Sequence, residues 1–299
     1  MSGVTVAGKK QKMGPGRIIL AIVLNAILII FSFTCIFPLL WMINSALKEK
    51  RVFNSDIIGI VKSPTFQNFK DILSNSNYHL GQSIWNSART TILSVFFIVL
   101  FGFIVGYILA RVKFKGNRLL FTIFLMGMLI PQHSLLVPIY VVFKKCGLSN
   151  HWFTLIIPYV AFGLTIAIFL VEGFVRTIPQ ELEQAAAIDG CGFSKTMFEI
   201  ILPICKPILV TVAIIQSFGC WNEFSFALIL IKDQALQTVP LALTQFTGQF
   251  NSDYPKIMAA MLITMAPIVI LYFVFTLKQL LPGSQKSADY PYQAFKRSF

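Results

Sequence analysis

The stretch Pro179–Pro203, PQELEQAAAIDGCGFSKTMFEIILP, is the longest polar interruption between hydrophobic segments in the second half of the chain. Apolar runs long enough to cross a bilayer flank it on both sides. Its residues read as two short amphipathic helices meeting at a glycine turn. Pro179 suits a first helical position, where a missing N–H costs nothing. Leu182, Ala185, Ala186 and Asp189 recur at i, i+3, i+4 and i+7 and so share one helical face, where alanines leave room for another surface to approach closely. Gly190 and Gly192 stop that helix, because glycine enters the left-handed turn conformation without steric cost. Ser194 suits the cap of a second helix. Phe193, Met197, Ile200 and Ile201 form the apolar stripe of that helix, and Pro203 ends it.

The flanking runs set the class. Of 299 residues, 56% are hydrophobic and only 12% are charged, with a mean hydropathy of +0.74. A soluble domain carries about 25% charged residues, so the chain reads as an all-α integral membrane protein. The net charge of +13 sits in short basic runs at the edges of apolar segments. That is the pattern of cytoplasmic flanks, not of a nucleic-acid surface. Cys35, Cys146, Cys191, Cys205 and Cys220 are scattered, with no Cys-x-x-Cys, and read as buried small hydrophobes rather than disulfides or ligands. His79, His133 and His151 lack metal-ligand spacing, so no metal site is expected.

Taken in order, residues 1–17 read as a cytoplasmic tail, 18–281 as a six-helix membrane domain, and 282–299 as a second cytoplasmic tail. Gly3 and Gly8-Lys9 nearly match a phosphate loop, but Lys10 stands where Ser or Thr is required and no strand precedes it. The spans are expected at about 18–43, 83–110, 119–143, 153–174, 207–231 and 257–281. The first is too long for a cleaved signal core. Residues 48–82 form an external segment with a short surface helix between Pro64 and Leu80. Arg111, Lys113, Lys115 and Arg118 follow the second span at once, which marks the inside. Pro131 and Pro138 bend the third span around Gln132, His133 and Ser134. That bend either lines a pathway or serves packing, and the sequence leaves both readings open.

The opening stretch resembles the EAA loop of the permease subunits of type I ABC importers, in its carbohydrate form. Ala185, Ala186, Asp189, Gly190, Phe198, Leu202 and Pro203 match its pattern, while Gln184 stands where the family usually has Glu. The resemblance is to the second permease of the maltose type. It implies a prokaryotic plasma-membrane protein with both termini inside. It also implies a second homologous permease, an ABC ATPase dimer, and an extracytoplasmic solute-binding protein for a carbohydrate. The loop would be the coupling helix seated in the ATPase, with Gln184, Ala185, Ala186, Asp189, Gly190, Phe198 and Pro203 at the contact. This chain would bind no cofactor; ATP-Mg belongs on the partner ATPase. Related permeases often end in a Gly-rich, Lys-containing tail, and the tail here departs from that.

The fifth span holds Gln216, Ser217 and Gly219, then Trp221-Asn222-Glu223-Phe224, which is also similar to the carbohydrate permeases. Glu223 is the only acidic residue placed well inside a span, where an ionisable group tends to face a cavity or partner. Indole stacks on sugar faces and amide or carboxylate groups bond hydroxyls. Gln132, Trp221, Asn222 and Glu223 therefore stand as pathway candidates, beside a purely structural role against the second permease. Two competing functions remain: a permease for glycerol phosphate, an amino acid or a polyamine, and an ion-driven carrier acting alone. The second expects paired broken helices and several intramembrane charges, and no such repeat is visible. There is no Gly-x-Ser-x-Gly, no His-Glu-x-x-His and no carboxylate pair on one span, so an enzyme is not expected.

Overall fold

The computed structural model describes residues 15–74, 79–246 and 253–280. Both expected tails, including the near-match to a phosphate loop, fall largely or wholly outside them. Every regular element among the described residues is helical: α1 (Pro15–Ala46), α2 (Lys50–Ser55), α3 (Gln67–Ser74), α4 (Leu80–Arg111), α5 (Asn117–Gly127), α6 (Leu136–Lys145), α7 (Ile156–Thr177), α8 (Glu181–Ile188), α9 (Phe193–Lys195), α10 (Leu202–Asn222), α11 (Ser225–Leu230), α12 (Val239–Leu243) and α13 (Tyr254–Leu280). Five helices are long and apolar enough to cross a bilayer, and the bent pair α5–α6 makes a sixth crossing if it counts as one.

The bundle is built on α4 and α7, whose backbones meet through small residues. Gly102 and Gly106 of α4 lie one turn apart, against Ala167 and Val171 of α7. A Cβ added at Gly102 would fall 2.6 Å from the Ala167 Cβ, and one at Gly106 would fall 2.9 Å from Val171 Cγ1. Without a hydrophobic drive between helices in lipid, close van der Waals approach of this kind is what associates them. Gly163 of α7 does the same toward Ile98 and Gln216, which brings α10 into the group. Ile98, Phe103, Tyr107, Val171, Val175, Ile201 and Val212 then form the main core. None of the expectations from sequence drew on this Gly102-x-x-x-Gly106 spacing.

A second cluster joins Ala46 at the end of α1 to Ile72 of α3 and to Ile257, Ala259 and Ala260 of α13. The Lys256 ammonium of α13 binds the Asp71 carboxylate of α3 at 2.8 Å. With Gln67 also donating to it, Asp71 is held below the usual carboxylate range. The surface helix expected in the external segment is α3. Over residues 22–40 α1 is bare, with Ile29, Ile30 and Phe31 all facing outward.

Three expectations need correction. The third span is not one kinked helix. α5 stops at Gly127, a 3₁₀ turn covers Gln132–Leu135, and α6 leaves at 90° to α5. Pro131 has no N–H to continue the ladder and biases Ile130 away from helix. Pro138 lies in the first turn of α6, where its N–H would be unused, so it bends nothing. The fifth span starts and ends earlier than expected: Phe193–Asn222 is one run of helix, and α11 is separate. Of the cysteines, Cys205 and Cys220 are buried as expected, but Cys35 and Cys146 are exposed.

Gly106→Leu forces a side chain into the Val171 contact, so it should destabilise the bundle by about 1–3 kcal/mol. Gly173→Leu, on the open side of α7 where an added Cβ meets nothing within 4 Å, should be close to neutral. Thermal unfolding of the two variants in detergent makes the comparison.

Candidate functional site

Two regions carry the sequence-derived candidates, one at each end of the α4–α7 pair. At the first end, the chain leaves α7 at Ile178, forms α8, and turns at Gly190, whose φ of +78° requires glycine. Gly192 is extended (φ −74°) and caps α9, so it takes no part in that turn. Ser194 lies inside α9 and makes no cap. Pro179 precedes the α8 cap residue, Gln180. Pro203 does not end a helix. Thr196–Ile201 is a π-helical turn that passes directly into α10. Pro203 has no N–H to offer the carbonyl one turn back, which a wider turn accommodates. The stretch is thus an elbow: one short helix, a glycine corner, and the root of the next span.

The two faces of α8 differ. Leu182 packs on the main core and Ala186 is buried. Gln184, Ala185 and Asp189 are exposed, and Ile188 is 87% exposed. The single face expected for Leu182, Ala185, Ala186 and Asp189 is therefore split between core and surface. What fixes the inner face is a residue whose sequence context marks only topology. Arg111, the last residue of α4, donates from Nε to Glu183 Oε1 at 2.8 Å and from Nη2 to the Ile178 carbonyl at 2.6 Å. The two side chains are 6% and 19% exposed. Above them Phe103 and Tyr107 of α4 meet Phe198 and Phe193, with ring centroids 6.2 and 5.6 Å apart. Arg111 and Glu183 are 72 positions apart, and no local pattern links them.

At the other end, a cavity of about 190 Å³ lies between α7, α10 and the 3₁₀ turn. Gln132, Tyr159, Gln216 and Glu223 bring polar atoms to it. Glu223 stands at the break between α10 and α11, not within a span. Its carboxylate accepts from the Tyr159 hydroxyl at 2.8 Å and from the Phe226 N–H at 2.7 Å. It thereby caps the first turn of α11. Trp221 and Asn222 are not brought into this group. Trp221 is 5% exposed and packs with Val239 and Ile268, so its indole offers no face to a ligand. Asn222 is exposed and turns back to donate to the Phe218 carbonyl at 3.0 Å. Tyr159 and Gln216 complete the cavity; Tyr159 gave no signal in the sequence.

The same end is stitched by polar contacts. Asn86 of α4 donates to the Ala235 and Gln237 carbonyls. Ser87 accepts from the Val239 N–H at 2.8 Å. The Asn150 side chain accepts from the Lys232 and Asp233 N–H groups. α4 is consequently fastened at both ends, to the elbow by Arg111 and to the α11–α12 loop by Asn86 and Ser87.

Known proteins share this sequence pattern and this fold. The pattern of the family described as "Binding-protein-dependent transport system inner membrane component" matches residues 98–281, a range that contains both the elbow and the cavity. The chain is 33% identical over 236 residues to the melibiose/raffinose/stachyose import permease protein MelC of Bacillus subtilis, covering 79% of this chain and 84% of that protein. It is 32% identical over 249 residues to the trehalose/maltose transport system permease protein MalG of Thermococcus litoralis, covering 83% and 89%. A chain in the crystal structure of a bacterial ABC transporter that imports the acidic polysaccharide alginate shares the fold, with a TM-score of 0.80 at 18% identity over 91% of this chain and all of that one. With more than half its length matched and its relatives spanned almost end to end, the chain belongs to the inner membrane components of binding-protein-dependent transport systems, as an ABC-type permease.

Proposed function

We propose that the chain is one of two permeases in an ATP-driven carbohydrate importer, and that the elbow is the part an ATPase dimer pushes. The observation that carries this is the division of α8. Its inner face is locked by the Arg111–Glu183 pair and by Leu182 and Ala186 against the core, while Gln184, Ala185, Ile188 and Asp189 point away from the chain. A docking face needs this: a free outer surface on a rigid seat. ATP-Mg would reside on the ATPase chains. Closure of that dimer would move α8, and the unbroken run from Phe193 to Asn222 would carry the motion to the cavity. That is alternating access, with one ligand biasing a two-state element. On this reading the elbow end and both termini face the cytoplasm, and a solute-binding protein delivers substrate to the opposite end.

The carbohydrate reading draws on what the relatives' names say they import and on the chemistry of the cavity. Gln132, Gln216, Tyr159 and Glu223 offer amides, a hydroxyl and a carboxylate, groups suited to sugar hydroxyls. At about 190 Å³, the cavity is smaller than the 300–1,000 Å³ typical of ligand sites. It would be half of a site completed by the second permease.

Three outcomes test this. Gly190→Val places a β-branched residue at φ +78°, at about 1–3 kcal/mol of strain. The chain should still insert, but uptake into vesicles holding the full transporter should be lost; normal uptake would refute the coupling role. Arg111→Ala should cost about 2–4 kcal/mol by leaving Glu183 and the Ile178 carbonyl unpaired, and Glu183→Gln should cost less because the carbonyl bond survives. Differential scanning of the detergent-solubilised chain orders the two. Tyr159→Phe removes one cavity hydroxyl without changing shape and should raise the apparent KM for sugar about tenfold through a lost bond to a charged-site partner. An unchanged KM would remove the cavity from the pathway.

A further inference from the structure

Where α4, α5 and α7 end together, below the elbow's seat, a cavity of about 580 Å³ opens between the α4–α5 turn and the last turn of α7. Lys113, Lys115, Arg118 and Arg176 line it, and no carboxylate does. Arg176 is engaged by Glu172, one turn back on α7 and almost wholly buried. The nearby Arg111 and Glu183 satisfy each other. Lys113, Lys115 and Arg118 are exposed, and none takes part in an ion pair among the described residues. The turn that holds them is built: the Asn117 side chain donates to the Leu109 and Val112 carbonyls at 3.1 and 2.7 Å, and Gly116 takes a φ of +95°. Three uncompensated cations around one concavity repel each other unless an outside anion joins them.

The location chooses the anion. The cavity lies at the depth where three apolar helices stop, which is the headgroup layer of a bilayer. Phe114, on its wall, is exposed and apolar. From its rim, Leu119, Ile123 and Met126 run along one face of α5, all exposed, and no α5 side chain is fully buried. A free phosphate has no use for that apolar strip; an acyl chain does. We propose that this cavity binds the phosphodiester headgroup of an anionic phospholipid, with its acyl chains lying along Leu119, Ile123 and Met126. Basic pockets between spans on the cytoplasmic side take such headgroups by the same electrostatics.

The test uses the full chain, exposed to mixed micelles of equal phosphatidylglycerol and phosphatidylcholine and read by native mass spectrometry. The wild-type chain should retain phosphatidylglycerol over phosphatidylcholine. Lys113→Gln, Lys115→Gln and Arg118→Gln together should reduce that retention about tenfold or more, since each basic residue near a membrane surface contributes separately. The single Arg118→Gln should move it in the same direction, which covers a triple variant that fails to fold. Lys144→Gln with Lys145→Gln, at the far end of α6, should leave it unchanged. Equal retention of the two lipids by the wild type overturns the proposal, as does undiminished selectivity in the Arg118 variant. Displacement of the lipid by millimolar inorganic phosphate would assign the cavity to a free anion and also overturn it. So would a triple variant that keeps its lipid but loses capture of the ATPase, which would make the cavity a protein-docking surface.

Discussion

Helices α4 and α7 approach so closely that nothing larger than hydrogen fits at Gly102 and Gly106. Everything else is arranged about that contact. Once the two backbones are side by side, Phe103 and Tyr107 are carried to the elbow, and Arg111 arrives at the mouth of α8 with its guanidinium between Glu183 and the Ile178 carbonyl. At the opposite end the same helix delivers Asn86 and Ser87 to the backbone of residues 235–239. α4 thus acts as a tie rod whose spacing from α7 is set by the absence of side chains. A polar anchor at each end stops it from sliding. In a bilayer, apolar burial between helices contributes little, and close packing with a few satisfied polar bonds must suffice.

The elbow owes its mechanical character to the helix that continues from it. A loop that ended at Pro203 would have been a hinge between two independent pieces. Instead the chain passes through the π turn Thr196–Ile201 and across Pro203 and Pro207 as continuous helix to Asn222. On the proposed coupling role, a displacement of α8 would be delivered along α10 to Glu223, which holds Tyr159 of α7 and the first turn of α11 at once. The two candidate regions are joined by covalent helix on one side and by the α4–α7 pair on the other. A continuous path of this kind would give the proposed coupling between them a physical carrier.

Much of this is readable from the residues alone, and the parts that are not share a cause. The membrane class, the six apolar segments, the corner at Gly190 and the surface helix α3 follow from composition and local chemistry. The break in the third segment is visible as Pro131, but its size is not, because a proline removes one donor without saying where the next helix will go. The faces of α8 escape a sequence reading because periodicity finds an apolar stripe and cannot tell which alanine, Ala185 or Ala186, meets the core. Trp221 suits a sugar platform by residue type. Its burial against Ile268 depends on α13, 47 positions later. In sequence Arg111 is one of four basic flank residues, and only the fold separates it, buried and paired, from Lys113, Lys115 and Arg118. Long-range pairing is the common thread: each hidden role is set by a partner distant in sequence.

The bareness of α1 and the small size of the Glu223 cavity belong to one problem. A helix that is apolar and, over residues 22–40, exposed on every side satisfies its surroundings equally with lipid or with another apolar helix. The cavity asks for more. Its polar atoms, with Gln132 exposed at the rim, are not fully enclosed by this chain, and exposed polar groups at membrane depth are costly unless water or protein meets them. A second permease placed over that rim would enclose the amides and carboxylate and give a substrate its other wall. The bare length of α1 would give the same partner an apolar surface to lie against. A neighbouring permease would account for the cavity's open rim, and lipid alone would not.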